Sequence, residues 1–479
     1  MKYVSLGFLL LTLTLLVGCA VGPRYAKPNV PTVPTDTFKE AGGWKTAQPS
    51  DQINRGKWWE VFGDPKLNAL EEQVSVSNQD LKIAEARFRE ARALVHFNRS
   101  AEFPSISTAP GISAVRDSAH RPYFQATHNT GDFVLPFDLS YEVDLWGRVR
   151  RTVSAAREEA QATAGDLQTV DLSLHADLAL DYFELRSADA QKQLLDDTVK
   201  AYADALQLTI NRFDGGAAPK SDVAQAQTQL EAARVQQTDI TVQRAQFEHA
   251  IAVLIGKPPA AVNLEPMNSR FQPPDISVGL PSQLLERRPD IAAAERRVAE
   301  ANDQIGIARV SFFPTVVLSA TAGFEADSIT DWFSWPSRFW AVGPSMLQTI
   351  FDGGRRRATS QGALASYDAT VAGYRQTALT AFQEVEDNLA ALRILDQEAQ
   401  QQTVATASAQ ESLQIFTNRY IGGADPYLQV LTAQTIALQN ERNDVDILRR
   451  RMDASVLLIK ALGGGWNVSE LPKTVELRR

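Results

Sequence analysis

The chain has 479 residues, a formal net charge of −9 and an isoelectric point near 5.3. This acidic balance argues against a nucleic-acid partner, because phosphate binding requires a basic face. A single cysteine excludes an internal disulfide, and the mean hydropathy of −0.21 means that any membrane span must use few apolar residues.

The first residues have the form of a bacterial signal peptide, predicted over residues 1–18. A short basic head precedes an almost unbroken apolar run from residue 4 to residue 17. The order Leu-Val-Gly-Cys that ends at Cys19 fits a lipobox, in which the cysteine is acylated and becomes the first residue of the mature chain. Cys19 is therefore the predicted lipid anchor. The alternative is an ordinary signal peptide with an incidental cysteine. Residues 19–57 are rich in proline and predict an extended, lipidated tether.

An internal repeat divides most of the remaining chain into two halves, predicted as residues 58–262 and 282–465. A shift of 210 residues places Phe103 on Phe313, and a shift of 207 places Arg212 on Arg419. Each half then holds the same elements in the same order: a helix, two strands and a long helical hairpin. Residues 263–281 are predicted to be a Pro-rich linker in an equatorial region, and residues 466–479 a C-terminal tail.

Four segments alternate apolar and polar residues as β-strands do. They lie at about residues 104–116, 132–146, 314–325 and 338–351. Each has close to the 9–11 residues that a tilted strand needs to cross a bilayer. The polar positions of the second strand are acidic, which predicts that Asp138, Glu142 and Asp144 face a water-filled lumen. The alternative is a soluble sheet with one buried face.

Four strands cannot close a membrane barrel alone, because open edges are not tolerated in lipid. Two chains would supply eight strands, whose side chains largely fill the interior. Three chains would supply twelve strands and leave an open pore. The pattern therefore predicts a homotrimer with a twelve-stranded barrel.

Two long helices are predicted to begin at Arg148 and Arg355 and to run to Asn211 and Asn418. At about 1.5 Å per residue each would span about 100 Å, more than a globular core requires. Their charges exclude transmembrane helices. The returning helices repeat apolar residues every 3.5 positions, which is typical of helices packed side by side. A coiled-coil rod is the alternative, but it leaves the strands unexplained.

Arginines cluster where both long helices begin, at positions 148, 150 and 151 and at positions 355–357. Cations at a helix N-terminus oppose the helix dipole. Lipid phosphates are expected to offset this cost, and a solvated surface cluster is the alternative.

The sequence shows no catalytic pattern. The five histidines are scattered, none lies at ligand spacing with a carboxylate or the cysteine, and there is no phosphate-binding loop. The chain is predicted not to be an enzyme and to bind no cofactor or metal.

Several motifs occur in order along the chain: Trp58-Trp59 with Phe62-Gly63-Asp64-Pro65, residues 284–290, Phe312-Phe313-Pro314, residues 351–355, and residues 419–428. Together they resemble the outer-membrane efflux protein family of TolC-like channels, and most closely its lipoprotein branch of OprM-like and NodT-like proteins. The resemblance covers nearly the whole mature chain. It implies a mainly α-helical fold with a membrane β-barrel contribution, in which a trimeric twelve-stranded barrel in the outer membrane continues into a long periplasmic α-helical barrel.

The resemblance also implies partners and a transport function. The implied partners are a periplasmic adaptor protein, an inner-membrane proton-driven pump of the RND type, and outer-membrane lipid. The channel would passively conduct small molecules such as drugs to the exterior. The alternatives are a duct for protein secretion, a lipid-anchored periplasmic adaptor and a structural coiled-coil lipoprotein.

The turns at the far ends of the two hairpins are predicted to be tight reversals built on paired glycines. In the family that the chain resembles, these tips form a closable periplasmic entrance and the adaptor docking site; the alternative is that they are only turns. Relatives often carry aspartates where Gln429 and Thr432 stand, so Asp222 is the acidic candidate here, unless it serves only the helix dipole. Tyr420 and Leu428 match family positions associated with the closed gate. The predicted entrance residues are Arg212, Gly215, Gly216, Asp222, Arg419, Tyr420, Gly422, Gly423 and Leu428.

Overall fold

A computed structural model of the chain describes residues 21–30, 38–40, 56–116, 130–267, 271–274, 276, 286–473 and 476–478. The predicted signal peptide, Cys19 and about half of the predicted linker lie outside these residues.

Long helices dominate the described chain and two of them, each of 67 residues, are followed by helices of 35 residues. None of the helices in the described ranges combines the length and the apolar content needed to cross a membrane. In chain order the main elements are α1 (Pro65–Ser77), α2 (Gln79–Arg99), β1 (Ser105–Thr108), β2 (Gly111–Val115), β3 (Thr130–Glu142), α3 (Arg148–Asp214), α4 (Lys220–Leu254), α5 (Pro289–Val310), β4 (Thr315–Ala326), β5 (Arg338–Leu347), α6 (Arg355–Ile421) and α7 (Tyr427–Ala461).

Local sequence explains where the first helices begin and end. Asp64 caps α1, because its carboxylate accepts the backbone N–H groups of Lys66 and Leu67, and Pro65 occupies the first helical position. Asn78 ends α1 and caps α2 by accepting the N–H of Leu81. These caps fix the boundary between α1 and α2 at Asn78.

The helices form a single curved layer. At the end near the sheet the order across the layer is α2–α3–α5–α6, and at the far end it is α4–α3–α7–α6. The largest apolar core lies halfway along, where α3 and α7 pack against α1, α6 and the 3-10 turn Trp58–Phe62. Its fully buried members include Leu67, Leu178, Tyr182, Leu185, Leu389 and Val456.

The N-terminal segment lies along this layer as a strap, which we define as residues 21–30 and 38–40. Val21 donates its backbone N–H to the carbonyl of Trp146, just below the sheet. Farther along, Tyr25 bonds Glu295 on α5, and the backbone N–H groups of residues 39 and 40 donate to Glu386 on α6. Phe38 is buried in the main core. The strap therefore joins residues 21–30 and 38–40 to helices α5 and α6.

The strands form one antiparallel sheet in which β3 pairs with β4, β4 with β5, and both β1 and β2 with β3. The predicted strand at 104–116 is thus two pieces. The register of β1 against β3 continues into β2, and the gap falls at residues 109–110, because Pro110 has no N–H to donate. The predicted strand ends at 146 and 351 are also too late: β3 ends at Glu142 and β5 at Leu347.

Candidate functional site

The sheet has one apolar and one polar face. The register places Ile106, Phe137, Leu318, Val342 and their neighbours on one side. These side chains are exposed, and Trp340 and Val342 keep 75% and 72% of their surface. An apolar face this continuous would not remain in water. The side chains on the opposite face include Ser107, Asp138, Ser140, Ser319, Thr321 and Ser345.

The three acidic residues predicted for a lumen occupy two different places. Asp138 is exposed on the polar face, opposite Thr321. Glu142 ends β3 and accepts two hydrogen bonds from the Arg148 guanidinium, at 2.7 and 2.6 Å. Asp144 lies beyond the strand, where its carboxylate accepts the N–H groups of Val149 and Arg150 at the start of α3. Glu142 and Asp144 therefore anchor the sheet to the helix.

Four of the six arginines at the helix starts, at positions 148, 150, 151 and 356, are offset by carboxylates of the chain itself, so lipid phosphates are not needed there. Arg150 pairs with Asp144 at 3.1 Å and Arg151 with Asp303 at 2.8 Å. In the second half Arg356 pairs with Asp352 at 2.6 Å. Asp144 and Asp352 also accept backbone N–H groups at the helix starts, where the helix dipole favours negative charge, so these two pairs stabilise both the helix start and the cation.

The two hairpin tips have the same backbone construction. In the first, the N–H of Ala217 bonds the carbonyl of Arg212 at 2.7 Å, and in the second Ala424 bonds Arg419 at 2.8 Å. These bonds close each helix in a glycine-containing C-terminal turn. Gly216 and Gly423 have φ angles of +74° and +75°, which L-residues with a side chain seldom adopt. The second glycine of each pair is thus needed for the reversal.

Only the first of two equivalent arginines joins the hairpins. Arg212 donates from Nη1 to the backbone carbonyl of Ile421 at 2.8 Å, and its guanidinium lies 4.6 Å from the centre of the Tyr420 ring. Arg419, its counterpart, instead pairs with Asp425 in its own turn, at 2.6 and 3.0 Å. Arg212 is therefore the polar link between α3 and the end of α6.

A tyrosine cluster closes the space behind this link. Tyr420 and Tyr427 are 3% and 2% exposed, and their rings meet edge to face with centres 5.3 Å apart. They pack with Ala226 of α4 and Val430 of α7. Burial raises the pKa of the Tyr427 hydroxyl to about 12, so it stays neutral. The tips of all four helices are thus joined by one small core.

The remaining predicted entrance residues are not members of this core. Leu428 is 53% exposed, although it neighbours the buried Tyr427. Asp222 lies half-buried in the first turn of α4, where its backbone N–H bonds the carbonyl of Pro219. Gly215 and Gly422 are exposed and have negative φ angles of −79° and −73°.

The two glycines of one tip are predicted to tolerate substitution differently. Gly423→Ala forces a side chain into the left-handed region and should destabilise the turn by about 1–2 kcal/mol. Gly422→Ala is the matched control, since its φ of −73° suits alanine. Hydrogen exchange of residues 415–430 should quicken only in Gly423→Ala. Equal exchange in both variants would contradict a turn set by φ.

The structure also joins two buried ionisable residues that the sequence did not connect. Glu71 of α1 and His175 of α3 are 0% and 2% exposed, and Glu71 Oε2 lies 2.7 Å from His175 Nδ1. The two positions are 104 residues apart, so no local pattern predicts the contact. In the described ranges no cluster of three or more acidic, histidine or cysteine side chains is arranged to hold a metal ion.

Comparison with known proteins gives consistent results. The profile of the family described as "Outer membrane efflux protein" matches residues 70–257 and 280–464. The toluene efflux pump outer membrane protein TtgF of Pseudomonas putida is 33% identical over 477 residues, which cover 96% of this chain and 97% of the relative. The antibiotic efflux pump outer membrane protein ArpC, also of Pseudomonas putida, is 31% identical over 465 residues, which cover 96% of each protein. The solved structure of the outer-membrane channel OprN has a TM-score of 0.87 and 29% identity over 94% of this chain and 100% of its own.

The chain therefore belongs to the outer membrane efflux protein family. It is an outer-membrane efflux channel protein with a mainly helical fold, and its relatives and structural neighbours are channels rather than enzymes. The family, function and location predicted from the sequence are confirmed.

Proposed function

We propose that three copies of this chain close into a twelve-stranded barrel that crosses the outer membrane. The observation that carries this proposal is the sheet, which has an exposed apolar face and ends in two unpaired edges, one formed by β1 and β2 and one by β5. An open sheet edge cannot stand in lipid, because its N–H and C=O groups would be unsatisfied. Pairing β5 of one copy with the β1–β2 edge of the next satisfies both edges.

The helical layer supports the same assembly. Its outer helices keep apolar side chains exposed on both sides: Val235, Val242 and Val253 on α4, and Leu364, Ile394 and Val404 on α6. In the proposed trimer α4 of one copy packs against α6 of the next. Twelve helices then enclose a periplasmic tunnel that continues the barrel, and the polar sheet face with Asp138 lines the lumen.

We further propose that the chain is two structural repeats, residues 58–262 and 282–465, joined by the linker 263–281 and followed by the tail 466–479. The equal lengths of α3 and α6, and of α4 and α7, support this division. The same elements in the same order would give the trimer a pseudo-sixfold barrel.

The hairpin tips are proposed as the periplasmic entrance and the adaptor docking site. The Arg212 link and the tyrosine cluster around Tyr420 hold α3 and α6 together at the tip, as a closed state requires. Gly215, Gly216, Gly422, Gly423 and Leu428 are exposed there and are available to a partner. The proposed partners are a periplasmic adaptor and an inner-membrane RND-type pump.

The lipid anchor is proposed at Cys19. Val21 is fixed to Trp146 below the sheet, and two extended residues reach at most about 7 Å. An acyl chain on Cys19 would therefore enter the membrane leaflet that faces the periplasm. The proposed cargo is small apolar compounds such as solvents and antibiotics, since the relatives TtgF and ArpC are named for toluene and antibiotic efflux.

Native mass spectrometry of the mature protein in mild detergent tests the assembly. We expect a trimer with one acylated N-terminus per chain. Cys19→Ala should lose the acyl mass and remain trimeric, because barrel closure depends on strand pairing. A folded monomer or dimer would leave open sheet edges and would refute the proposed pore.

A further inference from the structure

We call residues 459–466, the C-terminal end of α7 and the turn that follows it, the root of α7. The residues around His175 connect α3 to this root. The His175 ring stacks on Trp59 with centres 4.3 Å apart, and Trp59 meets Trp58 edge to face at 5.8 Å. A side chain at Gly464 would lie 3.2 Å from the Trp58 ring and 2.4 Å from Leu172. Gly464 therefore seats the root directly against Trp58 and α3.

The backbone of the root permits this close approach. Gly463, Gly464 and Gly465 have φ angles of +90°, +58° and +88°. Their left-handed conformations turn the chain sharply after α7, and N–H groups of the turn bond back to Lys460 and Ile459. This contact therefore holds the C-terminal end of α7, whose other end carries Tyr427, against α3.

Both ring nitrogens of His175 face hydrogen-bonding groups. Nδ1 faces Glu71, while Nε2 lies 3.2 Å from Ser75 Oγ and 3.5 Å from Asp171 Oδ1. The opposite oxygen of Glu71, Oε1, is buried without a partner. If His175 lost its imidazolium proton, the buried carboxylate of Glu71 would face a neutral ring. A neutral ring offsets the buried negative charge only weakly, which is strongly unfavourable.

A small cavity reaches His175 but not the fully buried Glu71. A cavity of about 200 Å³ is lined by Trp58, Trp59, Asp171, His175 and Gly464, with Glu470 from the C-terminal turn. The charged groups around His175 are therefore Glu71 from α1, Asp171 from α3 and Glu470 across the cavity. All three are acidic and favour the protonated ring.

We propose that Glu71 and His175 form a proton-dependent latch that holds the root of α7 against α3. With His175 protonated, the ion pair fixes α1 and the Trp58–Trp59 turn on Gly464. When His175 loses its proton, water enters the cavity to solvate Glu71, and the contact at Gly464 loosens. This pH response of the root does not depend on the proposed entrance function.

The direction of the pH dependence follows from the environment of both groups. Burial opposes the charge on His175, but hydrogen bonds to Asp171 and Glu71 outweigh it and raise its pKa from 6.5 to about 9. Burial raises the pKa of Glu71 from 4.5 to about 7, although His175 acts in the other direction. Both pKa values are raised on folding, so the folded chain favours the protonated form of each group. The ion pair itself exists between about pH 7, where Glu71 ionises, and about pH 9, where His175 loses its proton. The His175 contribution is complete below pH 6.5 and is lost as the pH rises through 9.

Hydrogen exchange of residues 455–466 in the intact protein tests the latch. Wild type and His175→Gln are compared at the same pH, where the chemical exchange rate of an identical peptide is the same. At pH 7 the variant should exchange about tenfold faster or more. Each unit by which folding raises the pKa of His175 corresponds to a tenfold change in the equilibrium between the closed and the open junction. At pH 9.5 the two proteins should converge.

Two further variants keep the test decisive. His96→Gln removes an exposed histidine of α2 and should match wild type at every pH. If His175→Gln fails to fold, Glu71→Gln replaces it: without the carboxylate the pKa of His175 falls, and exchange should quicken at a lower pH than in wild type. A ratio of variant to wild-type exchange that is constant between pH 7 and 9.5 would overturn the latch.

Discussion

Val342→Arg should prevent assembly of the trimer in the outer membrane. Val342 stands on the apolar face of β5, opposite Ala320 near the middle of the ladder, and is 72% exposed. An arginine that faces lipid near the bilayer centre costs about 2–4 kcal/mol in each chain, and a trimer carries three. The amount of trimer in isolated outer membranes, measured by semi-native gel electrophoresis, should fall at least tenfold.

Ser345→Arg is the matched control for this prediction. Ser345 lies three residues along the same strand but on the polar face, opposite Val317. In the proposed barrel an arginine there would extend into the lumen, and it should leave the trimer unchanged. If both variants assemble equally, the exposed apolar face is not in contact with lipid, and the orientation proposed for the sheet is wrong.

Arg212→Ala should open the hairpin tips. The change removes the hydrogen bond to the Ile421 carbonyl and the contact with the Tyr420 ring. A hydrogen bond from a charged donor contributes about 1.5–3 kcal/mol, so the open population of each protomer should rise about tenfold or more. Conductance of the purified protein in planar bilayers should increase accordingly.

Arg419→Ala provides the comparison at the equivalent position of the second half. Arg419 is exposed, and its ion pair with Asp425 lies within one turn and is screened by water, so its loss should leave conductance near the wild-type value. The opposite ranking of the two variants would show that the second tip, rather than the Arg212 link, holds the entrance closed.

Local pattern was sufficient to predict the elements that repeat a simple period. The starts of α3 and α6 at Arg148 and Arg355 were predicted correctly, because a glycine and an arginine cluster mark both. The two faces of β3 were also predicted, since alternation along Phe133–Tyr141 needs no knowledge of the partner strand.

The alternation of apolar and polar residues gave a wrong strand end where a residue bonds a neighbouring helix instead. Alternation continues past Glu142 to residue 145, which is why Asp144 was predicted to face a lumen. The structure ends the strand earlier, because Asp144 bonds the first N–H groups of α3. A polar residue just before a helix can continue a strand or cap the helix, and periodicity alone does not distinguish the two.

Contacts between residues far apart in the chain could not be predicted from the sequence. Arg212 and Arg419 occupy equivalent places in the repeat, yet only Arg212 reaches the other hairpin, because their helices have different neighbours. Glu71 and His175 are separated by 104 residues and meet only through the packing of α1 on α3. Such differences arise in the tertiary structure.

The strap imposes an order on the folding of the chain, because it contacts helices that come much later in the sequence. Its residues are the first of the described chain to be synthesised and exported, but their partners Glu295, Glu386 and Arg393 come 270 to 353 positions later. The strap can therefore dock only after α5 and α6 have formed. Contacts of such high sequence separation form late and slowly. Docking of the strap thus requires the chain as far as Arg393, and a product truncated before α5 would leave the strap without these partners.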